Sequence, residues 1–401
     1  MDSKKLQTKY SILFVLTNFA SCAVFSYLAV FLLSRGLSNS EIGNVAGISS
    51  LGTIVLSPLI SSIPGKIKGL TLKKTMVIAY ILACVLFTAV TFLPLPGILL
   101  QLLFIVLYID LVAMGPYFSM MCMNYMRKGY EINFGLSRGL SSVSYAVSAV
   151  ILGRLVEIFN TDCLDIFFVS VSLIQLLFLL SMPDSETEDT ASSEQTVEKT
   201  SVFKVAFKYK PFLLILIGFA FEFMATTALG TYLINIVTHL GGTTSFYGVV
   251  VFVQAASEMP VMAVTHKLLK KISPEKLLCT AAFFYILRNF LQAMAPNLVV
   301  LVIGALMQGM SYGLFFSVIT YYIPMRLEHQ DEMMGQTLIN IITTGAGCMI
   351  GNYLGGFIQD SAFGLNGMFL FVEAVTVIGV IIVWTTVILT SRRNKGKQET
   401  I

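Results

Sequence analysis

Apolar runs about 20 residues long recur along the chain, separated by short polar stretches. A helix of that length crosses a hydrocarbon core of about 30 Å. Twelve runs can be marked: 9–33, 41–63, 75–94, 97–122, 133–155, 164–182, 211–236, 246–266, 277–295, 297–323, 334–358 and 366–390. The first, Tyr10 to Leu33 in its apolar part, is too long for a cleavable signal and lacks a small-residue cleavage site. It is expected to be a membrane span. The pattern therefore predicts an all-α polytopic membrane protein with twelve transmembrane helices. Between the sixth and seventh runs, Pro183 to Lys210 opens acidic and hydroxyl-rich, which reads as a solvated linker. Its last part, Val202 to Tyr209, is predicted to be a basic amphipathic helix on the membrane surface. Three parts follow: a six-helix half over 1–182, a linker over 183–210 and a second half over 211–401.

Composition agrees with this picture. Of 401 residues, 56% are hydrophobic and only 12% charged, about half the charged share of a soluble domain. The basic residues are placed asymmetrically. Lys4, Lys5 and Lys9 precede the first span, and Lys66, Lys68, Lys73 and Lys74 follow the second. Lys199, Lys204, Lys208 and Lys210 lie in the linker. Lys267, Lys270, Lys271 and Lys276 follow the eighth span, and Arg392, Arg393, Lys395 and Lys397 close the last. Arg35 and Arg154 fall on the opposite side. The positive-inside rule then puts both termini and the linker in the cytoplasm of a multi-pass protein of the plasma or inner membrane. The net charge of +4 reports this topology and not nucleic-acid binding. The six cysteines show no CxxC spacing and the three histidines lie near span ends, so neither a disulfide framework nor a metal site is expected.

The two halves also repeat. Tyr27, Gly36 and Gly43 recur at a constant offset as Tyr232, Gly241 and Gly248. In the fifth and eleventh spans, Leu152-Gly153-Arg154 matches Leu354-Gly355-Gly356. Glycines at every fourth position, Gly347, Gly351 and Gly355, predict close packing of span eleven on a neighbour. Two pseudo-symmetric six-helix halves joined by a linker form the parallel-repeat plan of major facilitator transporters.

Motifs extend that likeness. Phe134-Gly135-Leu136-Ser137-Arg138-Gly139-Leu140-Ser141-Ser142 resembles the Tyr-Gly-x-x-Arg-x-x-Gly-Ser signature that opens span five in the lactose-permease-like and nucleoside-symporter-like branches of the major facilitator superfamily. Ser257-Glu258-Met259-Pro260 resembles their Glu-x-Pro element in span eight. The chain departs from the family in two places. The loop from Ser61 to Lys74 lacks the usual aspartate, and span ten lacks the His-x-x-Glu pair of lactose permease. The resemblance implies proton-coupled import of a small organic solute: a sugar or oligosaccharide, a nucleoside or an aromatic acid. The halves would rock about a midplane cavity, driven by the proton gradient with no cofactor.

Charges deep in membrane spans are expensive, so each one is informative. Glu258, Glu222 and Asp110 are the proton-coupling candidates, in that order, because a carboxylate removed from water holds its proton more firmly. Arg138 is expected to pair with Asp110, and Arg288 with Glu258 or Glu222. Gly135 and Gly139 form a small-xxx-small pair expected to pack closely, and Pro116 is expected to break the helix beyond Asp110. Glu373 in span twelve reads as structural. A recognition surface is drawn from Asn18, Tyr27, Asn44, Tyr145, Gln254, Gln308, Tyr312, Asn340 and Thr344, with Asn340, Thr344, Gly347 and Gly351 on one helical face.

The partners implied are a small-molecule solute, protons and the lipid bilayer, for a monomer. Proton-driven efflux of drugs or metabolites is the alternative, but no proline follows Arg138 before Pro183, so the span-five antiporter motif is missing. A membrane enzyme or sensor is disfavoured because no catalytic or metal-binding constellation is present, and no Walker loop supports ATP-driven pumping.

Overall fold

The computed structural model describes residues 2–61, 70–185 and 202–398. Lys66, Lys68 and residues 186–201 of the linker, Lys199 among them, lie outside them. A helix occupies every predicted span. The first half contains α1 (Ser3–Phe25), α2 (Leu28–Ser34), α3 (Asn39–Ser61), α4 (Leu72–Phe92), α5 (Gly97–Arg127), α6 (Phe134–Phe159) and α7 (Cys163–Leu180). After the linker come α8 (Val202–Lys208), at the predicted amphipathic segment, α9 (Lys210–Thr231), α10 (Leu233–His239), α11 (Thr244–Leu269) and α12 (Pro274–Ala293).

Two π-helical turns interrupt the later spans. Span ten consists of α13 (Leu298–Leu306), the turn Gly309–Gly313 and α14 (Leu314–Arg326). Span eleven consists of α15 (Glu332–Ile339), the turn Asn340–Gly347 and α16 (Cys348–Asp360), and α17 (Gly364–Gln398) ends the chain. Among the described residues, ten segments have both the length and the hydropathy to cross a membrane; α3 and α12 hold the other two predicted positions. Large apolar side chains face outward, among them Leu177 at 68% and Leu370 at 72% exposure, as lipid-facing positions require. The protein is a multi-pass membrane protein.

Two compact units divide the chain. The first contains Met1–Leu37, Ile48–Thr196 and Thr243–Phe252; the second contains Ser38–Gly47, Val197–Gly242 and Val253–Ile401. The predicted parts, 1–182 and 211–401, differ from these at two places: the first turns of α3 belong to the second unit, and those of α11 to the first. Aromatic side chains centre both cores. Tyr10, Phe14 and Phe118 meet in the first; Phe219, Phe223 and Phe315 meet in the second.

The sequence repeat becomes a repeated joint. In the first unit, Tyr27 Oη donates to Ala149 O at 2.6 Å. A Cβ on Gly248 would collide with that same carbonyl, and one on Gly153 would sit 2.6 Å from Thr244 O. In the second unit, Tyr232 Oη lies 3.0 Å from both Asn352 O and Asn39 O, and its single proton serves one of them at a time. There a Cβ on Gly43 would stand 2.5 Å from Asn352 O, and one on Gly356 would strike Asn39 O. Glycine is needed at these four positions because backbone meets backbone. Gly36 and Gly241 match too, at φ +82° and +77°, each ending a short helix in the left-handed region.

Span eleven packs on α9 through its glycines, as their spacing predicts. Gly347 faces Ala220 O at 2.8 Å from an ideal Cβ, Gly351 faces Met224 O, and Gly355 faces the Ala228 methyl at 3.0 Å. Ala220, Met224 and Ala228 are themselves four apart, so one stripe of α9 meets one stripe of span eleven.

Candidate functional site

In the first unit, α6 is set on α1 by hydroxyl groups. Ser137 Oγ meets Ser11 Oγ at 2.8 Å, Ser144 Oγ donates to Val15 O at 3.0 Å, and Ser148 Oγ donates to Phe19 O at 2.7 Å. Ser11, Val15 and Phe19 recur every four residues, so a single face of α1 receives them. This packing decides where Arg138 points. It is adjacent to Ser137, about 100° around the helix, and its side chain is exposed. The predicted Asp110–Arg138 ion pair does not form.

Asp110 is buried on α5, and its Oδ2 has no hydrogen-bond partner. The expected break at Pro116 is also absent, because α5 runs on to Arg127. Nor do Gly135 and Gly139 pack closely: a Cβ at Gly139 would meet nothing within 4 Å, and one at Gly135 only Asn133 of its own turn. The glycine of α6 that does meet another backbone is the later one, Gly153, against Thr244 O.

Four first-unit or α3 residues of the predicted recognition surface separate by role. Tyr27 is fully buried with its hydroxyl committed to Ala149, so packing uses it. Tyr145 is half-buried, and its Oη meets Ser26 Oγ at 2.7 Å. Asn18 is half-buried, with Nδ2 donating to Phe14 O at 3.2 Å. Asn44 is half-buried on α3, next to Gly43.

The second unit brings most of the charges together. Glu258 Oε1 accepts from Gln308 Nε2 at 3.0 Å. Gln308 stands at the entrance to the π-helical turn Gly309–Gly313, whose first amide donates to Ser257 Oγ at 3.0 Å. An ideal Cβ on Gly309 would clash with Ser257 O, so the two helices touch there through backbone. The wider turn and the bare glycine carry Gln308 to the carboxylate. Arg288 is 1% exposed, and its Nη1 donates to Thr226 Oγ1 at 2.9 Å. It lies in the electrostatic field of Tyr285, Glu258, Glu222 and Tyr312 but forms no ion pair with Glu258 or Glu222. The predicted Arg288 bridge is thus replaced by two hydrogen bonds to neutral partners, Thr226 for the arginine and Gln308 for the glutamate.

Glu222 is fully buried on α9, and neither carboxylate oxygen has a hydrogen-bond partner. Arg288 and Glu373 are the charges around it. Glu373 lies on α17, where Thr376 accepts from Asn289 Nδ2 at 2.7 Å, tying α17 to α12. The neighbouring Gln292 is 1% exposed, with both amide atoms unpartnered. Sequence reasoning assigned no site role to Thr226, Asn289, Gln292 or Thr376. The only signal available was polar residues at one-turn spacing around Arg288.

The remaining predicted residues differ in burial and contacts. Gln254 is half-buried one turn before Glu258, and Tyr312 packs at a tilt against Phe223 and Phe316 at centroid distances of 5.7 and 4.7 Å. Asn340 is exposed, and Thr344 Oγ1 donates to its carbonyl at 2.8 Å. Gly347 and Gly351 face α9 instead. The π-helical turn Asn340–Gly347 shifts the helical phase between them, so the single predicted face is split.

Buried carboxylates and a buried arginine on helices that span a membrane are the expensive charges that transport sites use. The chain belongs to the MFS_1 like family, a branch of the major facilitator superfamily, whose profile matches residues 7–371. It is 22% identical over 386 residues to the maltose permease of Geobacillus stearothermophilus, covering 94% of this chain and 93% of that protein. Among solved structures it resembles the nucleoside transporter NupG with a TM-score of 0.79 at 14% identity, over 95% of this chain and 98% of that one. The peptide transporter POT is similar with a TM-score of 0.73 at 9% identity, over 98% of both chains. At these identities the structures report the fold alone.

Proposed function

We propose that this protein is a proton-coupled symporter of a small, uncharged, hydroxyl-bearing solute of the sugar or nucleoside kind. The observation that carries the reading is Glu258 held by an amide and not by an arginine. A carboxylate locked to a guanidinium stays ionised, whereas an amide tolerates both protonation states, donating to the anion and accepting from the acid. Gln308 Oε1, buried and unpartnered, is the acceptor such an exchange needs. Glu222 is the second proton site and Asp110 the third. Linkage makes the proton and solute reciprocal, each raising the other's affinity by the same factor. The maltose permease likeness supports a neutral hydroxylated solute.

In this reading residues 1–182 rock against 211–401 in a cell membrane, as a monomer, with both termini cytoplasmic and the proton gradient as energy source. The test is transport by the purified protein in liposomes carrying an internal pH dye. Maltose, a monosaccharide panel and nucleosides are supplied outside. Solute-driven acidification of the interior is expected, and Glu258→Gln abolishes it. Solute flux with no proton movement would sink the coupling. Export driven by an inward proton gradient would replace symport by efflux.

A further inference from the structure

We propose that the second unit carries a binding site for one anionic phospholipid, in a cavity at the ends of α9, α12, α14 and α17. The cavity holds about 680 Å³, inside the range of about 300–1,000 Å³ usual for small-molecule sites. Its walls come from the first turns of α9 and α12, the last turns of α14 and the part of α17 around Val387–Arg392. It therefore lies where membrane helices leave the hydrocarbon for the headgroup layer.

Four cations line it: Lys208, Lys276, Arg326 and Arg392. Two are already satisfied. Lys208 Nζ reaches Asp331 at 2.7 Å and Glu328 at 2.9 Å, and Arg326 Nε reaches Glu275 at 2.6 Å. Among the described residues Lys276 and Arg392 have no ion-pair partner, and both are exposed. The cavity thus presents two uncommitted positive charges beside two cations fixed in place, with one acid, Glu275, on its wall. Ser391 adds a hydroxyl donor, while the Thr390 hydroxyl already donates to Thr386 O at 2.8 Å. That set suits a phosphate ester.

The opposite wall is apolar. Phe212, Ile215 and Tyr322 are buried, while Ile388 lines the cavity and is also 47% exposed at the outer surface. Leu389 beside it is 65% exposed. A hydrocarbon chain can therefore pass from the headgroup cavity onto the lipid-facing side of α17 without crossing polar surface. An anionic head, a cationic cradle and an apolar exit together select an amphiphile over a free anion. The cavity also takes in Lys208 at the end of α8, so the lipid would bind that surface helix to the spans on either side of it.

Direct binding to the delipidated full-length protein in detergent, read by native mass spectrometry, tests this. The probes are dioleoylphosphatidylglycerol, dioleoylphosphatidylcholine and inorganic phosphate. Each uncommitted cation is expected to contribute about fivefold in affinity, so Lys276→Ala with Arg392→Ala should weaken phosphatidylglycerol roughly 25-fold. Among the described residues neither has an ion-pair partner to lose, and Ser391→Trp, which fills the cavity and keeps every charge, gives an independent loss of binding. Lys267→Ala with Lys270→Ala, on the same membrane side and off the cavity, should change nothing. Equal weakening by this control pair would mean diffuse attraction and overturn the site. So would equal affinity for phosphatidylcholine, binding of inorganic phosphate as tight as that of the lipid, or no lipid bound at all.

Discussion

Gln308 Nε2 donates to Glu258 Oε1 at 3.0 Å, from the residue that enters the π-helical turn Gly309–Gly313. The side chain that meets the carboxylate is the one that can serve it in either protonation state. Gln308→Leu removes both capacities while keeping the volume close. Proton-coupled uptake is expected to fall at least tenfold, about 1.4 kcal/mol, with exchange of solute between equal pools less affected. Initial rates of both, in liposomes, check it. Equal loss of the two would make Gln308 a packing residue.

Arg288 is anchored by Thr226, and a hydrogen bond from a charged donor contributes about 1.5–3 kcal/mol. Thr226→Val keeps the shape and deletes the acceptor. The melting temperature in detergent should drop accordingly, while Thr226→Ser should hold near the parent value. If valine and serine behave alike, Arg288 draws its stability from elsewhere.

Gly351 is pressed against Met224 O, with no room for a side chain. Gly351→Val should force α16 away from α9, at the cost of about 1–3 kcal/mol typical of overpacking. Gly139, with nothing within 4 Å, is the matched control, and Gly139→Val should be close to neutral in thermal unfolding. The comparison fails if both substitutions cost the same.

The pH dependence of α8 follows from its ion pairs. Lys208 holds the Glu328 carboxyl below the usual range, and Asp331, then Glu328, hold the Lys208 ammonium above its own. A depressed carboxyl contributes above the ordinary carboxylate range and is lost as pH falls through its lowered value. A raised ammonium contributes below the ordinary lysine range and is lost only as pH climbs through its higher one. The α8 amides should therefore be most protected from hydrogen exchange at neutral pH and become labile toward acid, after correction for intrinsic rates. Lys208→Gln should flatten that acid limb; an unchanged limb would assign it to other groups.

Much of the architecture was legible without coordinates, for stated physical reasons. Hydrocarbon thickness dictates run length, so all twelve helical positions could be marked. Backbone contact demands bare glycine, so Gly347, Gly351 and Gly355 predicted a close seam with a neighbour, which proved to be α9, and the repeat of Tyr27 and Gly43 as Tyr232 and Gly248 marked the two halves. Costly charges in apolar spans picked out Glu222, Glu258 and Arg288. What spacing could not supply was direction. Ser137 and Arg138 are neighbours, and only the docking of serines on α1 determines that the arginine is left exposed and unpaired with Asp110.

The sequence by itself determined the membrane class, the positions of the helices, the repeat and the short roster of buried charges, because each follows from local composition or from the bulk a backbone contact excludes. Tertiary structure alone decided the partners. Thr226 and Gln308 reach Arg288 and Glu258 from other helices, and the π-helical turns that aim Gln308 and rotate Asn340 away from Gly347 have no residue signature of their own. Such pairings are set by the rotation and register of packed helices, which depend on every neighbour at once.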